Sequence, residues 1–134
     1  MMKSYLFDAF PLLCWMQEET GCEMIDKLFS EAEEEKSSIS LHMMNLGEVF
    51  YHIGRIAGMK QAEDILGKIR YLPIRILSVV DGDIMEAARI KAQYPISYAD
   101  AFAVAKAIQT GATVVTGDPE YKTVSKLINI LWVK

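Results

Sequence analysis

The strongest constraint on this chain is the way short apolar runs alternate with helix-like segments. Five such runs stand out: residues 4–8 (SYLFD), 38–41 (SISL), 74–80 (IRILSVV), 113–116 (TVVT) and 128–133 (INILWV). They are mostly continuous apolar stretches, as in strands buried on both faces. The segments between them have helical periodicity. Pro11 suits the first turn of a helix over PLLCWMQEE. Residues 23–36 place Met24, Ile25, Leu28, Phe29 and Ala32 at helical spacing. Residues 43–57 carry Leu46, Val49, Phe50, Ile53, Ile56 and Ala57 on one face, and Gly58 ends that helix. A further helix runs over 60–69, and Pro73 closes the region. Asp81 reads as the N-cap of DIMEAARIKAQY, which stops before Pro95. SYADAFAVAKAIQT is an alanine-rich helix ended by Gly111, and one more helix follows Pro119. Strands alternating with helices predict a three-layer α/β/α sandwich around a central parallel sheet.

With 134 residues and 51% hydrophobic content, residues 1–134 are expected to form a single domain with a real core. No apolar run approaches the roughly 18–20 residues of a membrane span. Asp8 interrupts the apolar N-terminal stretch, so no signal peptide is read there and a cytoplasmic location is expected. Cys14 and Cys22 lack metal-type spacing and read as buried thiols. The net charge of −4 argues against a nucleic-acid partner only superficially. Four acids, Glu31, Glu33, Glu34 and Glu35, fall in one run that reads as a solvated helix face. Without them the chain has 14 acids against 14 bases. A polyanionic partner therefore remains compatible with the sequence, provided that cations neutralise the acids discussed next.

Four other acids stand at structurally odd places. Asp8 ends the first apolar run, where an aspartate commonly serves as a turn or cap residue. Glu48 lies one position off the apolar stripe of its helix, with Asn45 and His52 on the same face at i−3 and i+4. A solvated boundary glutamate is the plain reading; Asn45 is a supporting candidate that would orient it. Asp100 follows Ser97 in the S-x-x-D pattern of a capping box. Asp118 ends VVTGD ahead of Pro119, as a good helix cap would. Taken together the four say more. Ligands of open parallel sheets bind beyond the carboxyl ends of the strands. Asp8 and Asp118 leave strands at that rim, and Glu48 and Asp100 lie early in helices that start there. Four converging carboxylates repel one another unless cations bind. Oxygen-only ligands suit Mg²⁺ or Mn²⁺ rather than zinc, and such sites serve phosphoryl chemistry. Asp81 and Asp83, also near a strand end, read as cap and first-turn acids.

In order and context these acids resemble the PIN-domain nucleases. YLFDAF looks like the first-strand aspartate motif, and MNLGEVFY resembles the helix bearing the glutamate. SYADAFAVAKAIQTGATVVTGDPEY is similar to the family's most specific stretch, two aspartates separated by a helix and a strand. The resemblance implies a PIN-like fold and a metal-dependent endoribonuclease acting on RNA, often a VapC-like toxin paired with an antitoxin. It implies that Asp8, Glu48, Asp100 and Asp118 bind Mg²⁺ or Mn²⁺ and carry the catalysis, with Thr116 a helper beside Asp118. It also implies homodimers and an antitoxin protein that covers the site. Phe10 departs from the small or hydroxyl residue common two places after the first aspartate.

Competing readings remain at this level. An RNA-processing nuclease without an antitoxin fits the same residues. A phosphatase of the haloacid-dehalogenase type wants D-x-D, where this chain has Asp8-Ala9-Phe10; a receiver domain wants an acidic pair near its first strand, which is missing. A non-catalytic interaction domain, with the acids as caps, is the third.

Overall fold

The computed structural model describes residues 2–17 and 22–133, with the side chain of Cys22 left out. Five parallel strands form one sheet in the order β3-β2-β1-β4-β5. They are β1 (Lys3–Phe7), β2 (Ser37–His42), β3 (Arg75–Leu77), β4 (Thr113–Thr116) and β5 (Ile130–Trp132). Six α-helices are α1 (Ala9–Met16), α2 (Cys22–Glu33), α3 (Met43–Ala57), α4 (Met59–Ile69), α5 (Asp81–Gln93) and α6 (Tyr98–Thr110), and a 3₁₀ turn spans Pro119–Val124. The three-layer sandwich predicted from the sequence is thus present.

Side-chain alternation along the strands builds two cores. Tyr5 and Phe7 of β1, Ile39 and Leu41 of β2 and Val115 of β4 pack with α1, α2, α3 and α4. Leu6 and Val114 point the other way, onto Ala101, Phe102, Ala103, Val104 and Ala107 of α6 and Ala87 of α5. The alanines of α6 have a physical reason here. They bring its backbone close to the sheet, so a residue on its first turn can reach the ends of β1 and β4.

Several elements differ from their sequence expectation. The third strand covers only Arg75–Leu77. Ser78, Val79 and Val80 are exposed, so their β propensity has no neighbouring strand to satisfy it. Asp81 opens α5 rather than capping it; Val80 holds the cap position, and its N–H donates to Asp83 Oδ2 at 3.2 Å. The apolar stripe of α3 buries Leu46, Val49 and Ile53, each worth roughly 1.5–3 kcal/mol, but Ile56 and Ala57 are exposed because the last turn runs past its packing partners. α2 stops at Glu33, and the acid run continues into a turn where Glu35 has φ of 61°. Cys14 is buried, as expected; the Cys22 side chain lies outside the described residues.

Candidate metal centre

The chain order and sheet order diverge between β1 and β4. The helices after β1 and β2 cover one face of the sheet, and those after β3 cover the other. The carboxyl ends of β1 and β4 therefore flank the switch point, the crevice where parallel sheets bind ligands. Phe7 pairs with Val115, so Asp8 and Thr116 come next, side by side.

Asp8 is buried and its two oxygens are both engaged. Oδ1 accepts from the Phe10 N–H at 3.0 Å, which makes Asp8 the N-cap of α1, and Oδ2 accepts from Thr116 Oγ1 at 2.7 Å. The same Thr116 hydroxyl oxygen accepts from the Asp118 N–H at 3.1 Å. One buried threonine thus locks the first and last aspartates of the predicted quartet into fixed relation. Asp118 caps the 3₁₀ turn, its Oδ1 accepting from the Glu120 N–H at 2.9 Å. Capping and membership of the cluster coexist in one residue, since a carboxylate offers more lone pairs than a single cap uses.

Asp100 shows the same double role. Its N–H donates to Ser97 Oγ at 3.1 Å, half of the expected capping box. Its carboxylate accepts instead from the Tyr121 hydroxyl, at Oδ1 and 3.2 Å. Oδ2 is buried without a hydrogen-bond partner among the described residues, and so is Oε1 of half-buried Glu48. Asn45 is fully buried; its Nδ2 donates to the Ala99 carbonyl at 3.2 Å, one residue before Asp100, which ties the helix of Glu48 to the start of α6.

The electrostatics reflect crowding by like charge. Burial is the largest cause of the raised Asp8 pKa, about 7, against the relief from Thr116 and Phe10. Asp100 is pushed up to about 8, by burial first and then by Asp8, Asp118, Glu48 and Glu120. Glu48 is raised too, by burial, with Asn45 and exposed His52 lowering it in part. Burial also drives the Tyr121 phenol well above its ordinary value, so it stays a donor. In the absence of cations the cluster sheds charge by protonation. Orphaned buried acceptor oxygens, an all-carboxylate donor set and raised pKa values fit an oxygen-preferring divalent cation.

One carboxylate oxygen each from Asp100, Asp118 and Glu120 lies within 4.8 Å of the others, a group that does not include Asp8 or Glu48. Glu120 escapes a reading of the sequence because an acid in the first turn of a helix after an aspartate cap is ordinary dipole chemistry. Tyr121 escapes it because an aromatic there looks like core, which it also is. The ring of Phe10 lies over Gly117, where a Cβ would come within 2.3 Å of it, so this strand exit has room for Phe10 only because residue 117 is glycine. Two surface grooves among the described residues, one between α1, α2 and α4 and one between α5 and α6, include none of these five acids.

A parallel α/β sandwich with buried carboxylates at its switch point is the class of protein that this fold and this cluster define. The PIN domain family model matches residues 5–127, and the chain belongs to the PIN-domain family. No curated protein matches the sequence. Among solved structures, a chain of VapBC2 from Rickettsia felis, bound to a DNA fragment from their promoter, is similar with a TM-score of 0.78 at 13% identity, covering 98% of this chain and 99% of that one. VapC20 from Mycobacterium tuberculosis, a Sarcin-Ricin loop cleaving toxin, gives 0.72 at 13% identity over 90% and 94%. PAE2754 from Pyrobaculum aerophilum gives 0.66 at 21% identity over 97% and 92%. No helix among the described residues is long and apolar enough to cross a membrane.

Proposed function

We propose that this protein is an endoribonuclease that hydrolyses RNA phosphodiester bonds with Mg²⁺ or Mn²⁺. The observation that carries this reading is the buried, uncompensated carboxylate cluster at the switch point, with Asp100 Oδ2 left without a partner. Asp8, Glu48, Asp100 and Asp118 would hold the cation. A divalent cation there supplies charge neutralisation and Lewis acidity toward a phosphate oxygen. The chain's own residues do the positioning. Thr116 and the Phe10 N–H fix Asp8, Thr116 also fixes the backbone of Asp118, and Tyr121 fixes one oxygen of Asp100. Asn45 sets the distance between α3, which carries Glu48, and α6. In the reaction, water adds across a P–O bond, leaving a phosphate on one fragment and a hydroxyl on the other.

We read residues 1–134 as one domain, acting in the cytoplasm as the toxin of a type II toxin–antitoxin pair, as a homodimer and with an antitoxin protein as partner. The similarity to VapBC structures supports the pair, and the description of VapC20 as a Sarcin-Ricin loop cleaving toxin supports a nuclease reading. The test is incubation of structured RNA with the purified protein and Mn²⁺ or Mg²⁺, beside EDTA and Asp100→Asn controls. Cleavage lost in both controls is expected. Cleavage that survives the substitution would exclude this cluster as its source, and no cleavage with no cation-induced rise in melting temperature would favour an interaction domain.

A further inference from the structure

A second polar group is buried at the ends of β2 and β3, outside the acid cluster. His42 is the last residue of β2 and the N-cap of α3, and it is fully buried. Histidine is an unusual choice there, since Ser, Thr, Asp and Asn are the common caps. The ring is used at both nitrogens. Nδ1 accepts from the Met44 N–H at 3.1 Å, and Nε2 stands 3.0 Å from Asp83 Oδ2. A backbone N–H can only donate, so Nδ1 must keep its lone pair. The ring is therefore neutral with its proton on Nε2, aimed at the Asp83 carboxylate. A protonated ring, or the other tautomer, would turn an N–H toward the Met44 N–H and break the cap. No shorter cap residue could hold α3 with one atom and reach a second buried partner with another.

The bonds around His42 form a path that starts and ends on α6. Lys106 of α6 donates to Asp83 Oδ1 at 2.9 Å, and Asp83 receives the Nε2 proton of His42. His42 caps the first turn of α3 at Met44. The next residue, buried Asn45, donates from Nδ2 to the Ala99 carbonyl on the first turn of α6 at 3.2 Å. Ala99 and Lys106 are roughly two turns apart on that helix. The His42 ring also packs against Phe102, between them, with centroids 5.1 Å apart. α3 is thus held to α6 twice, directly through Asn45 and through the relay of His42 and Asp83. Glu48 lies in the first two turns of α3 and Asp100 in the first turn of α6.

We propose that His42, held as its Nε2–H tautomer by Asp83 and Lys106, is a positioning residue that fixes the first turn of α3 against α6 and so sets the separation of Glu48 and Asp100. The consequence for activity rests on the nuclease reading. The tautomer and the contact between the two helices do not, and they are measurable without RNA or cation.

The experiment is NMR on the full chain with isotope-labelled histidine, paired with RNA cleavage kinetics in Mn²⁺. The chain has two histidines, and His52→Gln assigns their ring signals. Cross-relaxation between the Asn45 side-chain amide and the Ala99 backbone reads the contact of α3 with α6. Wild type should show the neutral Nε2–H ring of His42 and a persistent Asn45–Ala99 contact. His42→Ala removes the cap and the relay together. His42→Asn keeps a capping oxygen but has no second arm to reach Asp83, so it should regain most of the melting temperature lost in His42→Ala. Both variants should weaken the Asn45–Ala99 contact and lower kcat by about 10- to 100-fold, with KM within about threefold, since a misplacement near 1 Å costs on that order. If His42→Ala does not fold, His42→Asn carries the comparison. A His42→Asn variant with the wild-type contact and wild-type kcat overturns the proposal, because capping alone then explains the residue. A wild-type ring protonated on Nδ1 at neutral pH overturns it too. A wild-type chain that cleaves no RNA overturns the nuclease reading, and the Asn45–Ala99 contact in the variants then decides the positioning role by itself.

Discussion

A single buried acid and a cluster of acids lie at the carboxyl edge of the same sheet, and they have opposite electrostatics. At the ends of β2 and β3, Asp83 receives Lys106 Nζ at 2.9 Å and the Val80 N–H at 3.2 Å, and pairs with His42 Nε2 at 3.0 Å. Burial would raise its pKa, but Lys106, His42 and the Val80 N–H outweigh burial and the net shift is downward. At the ends of β1 and β4, Asp8 and Asp100 are buried too, and for Asp100 burial first and then the neighbouring carboxylates raise the pKa to about 8, with no cationic partner to offset them. A buried acid with cationic partners is finished as structure. A buried acid surrounded by its own kind, with an oxygen left over, is not compensated within the fold.

That contrast orders the expected effects. Asp83→Leu leaves His42 and Lys106 without their shared carboxylate, and should cost about 3–5 kcal/mol in urea unfolding. A loss below 1 kcal/mol on the same curves would erase the distinction between the two groups. Asp100→Asn should do the reverse without cation, raising stability by about 1–3 kcal/mol above neutral pH, while losing any Mn²⁺-induced rise in melting temperature.

The pH response sharpens the same point. Asp8 and Asp100 have folded pKa values raised to about 7 and about 8 from the ordinary 3.8, so the folded state binds more protons than the unfolded state between those limits. Their contribution is full below the ordinary value and is lost as pH rises through about 7 and about 8. The lowered Asp83 works the opposite way, with stability present above the ordinary aspartate range and lost as pH falls through its folded pKa. Melting temperatures in EDTA should therefore fall as pH rises from the ordinary aspartate range to about 8 and level off above it, and Mn²⁺ should flatten that fall. A fall over this range unchanged by Mn²⁺ would count against a cation at the cluster. The smallest effect belongs to Thr116→Val, which removes one donor to Asp8 and one acceptor for Asp118. It should cost about 1 kcal/mol in the same unfolding assay, with RNA cleavage reduced far more than stability.

Much of this architecture was legible from local pattern. Runs such as TVVT and SYLFD read as buried strands because a parallel strand covered on both faces needs apolar residues on both, and α3 announced itself by Leu46, Val49 and Ile53 at helical spacing. The rim where the four acids were expected was legible because strand ends and helix starts meet at one edge in any parallel sheet. Residues whose role depends on distant partners were not. His42 looks like a strand residue, yet its Nδ1 accepts from the Met44 N–H and its Nε2 meets Asp83, forty-one positions along the chain. Asp81 and Asp83 read as cap and first-turn acids, and only burial against α6 shows that Asp83 is the one with distant partners, while Asp81 stays exposed.

The sequence by itself determined the alternation of strand and helix, because periodicity and turn chemistry are local and each segment carries its own. Tertiary structure alone decided which acids are compensated. Asp83 and Asp100 carry the same carboxylate beside similar helix starts; burial raises both, and Lys106, His42 and the Val80 N–H offset it at Asp83 while further carboxylates add to it at Asp100. Charge interaction depends on distance and burial, and neither is a property of a residue's place in the chain.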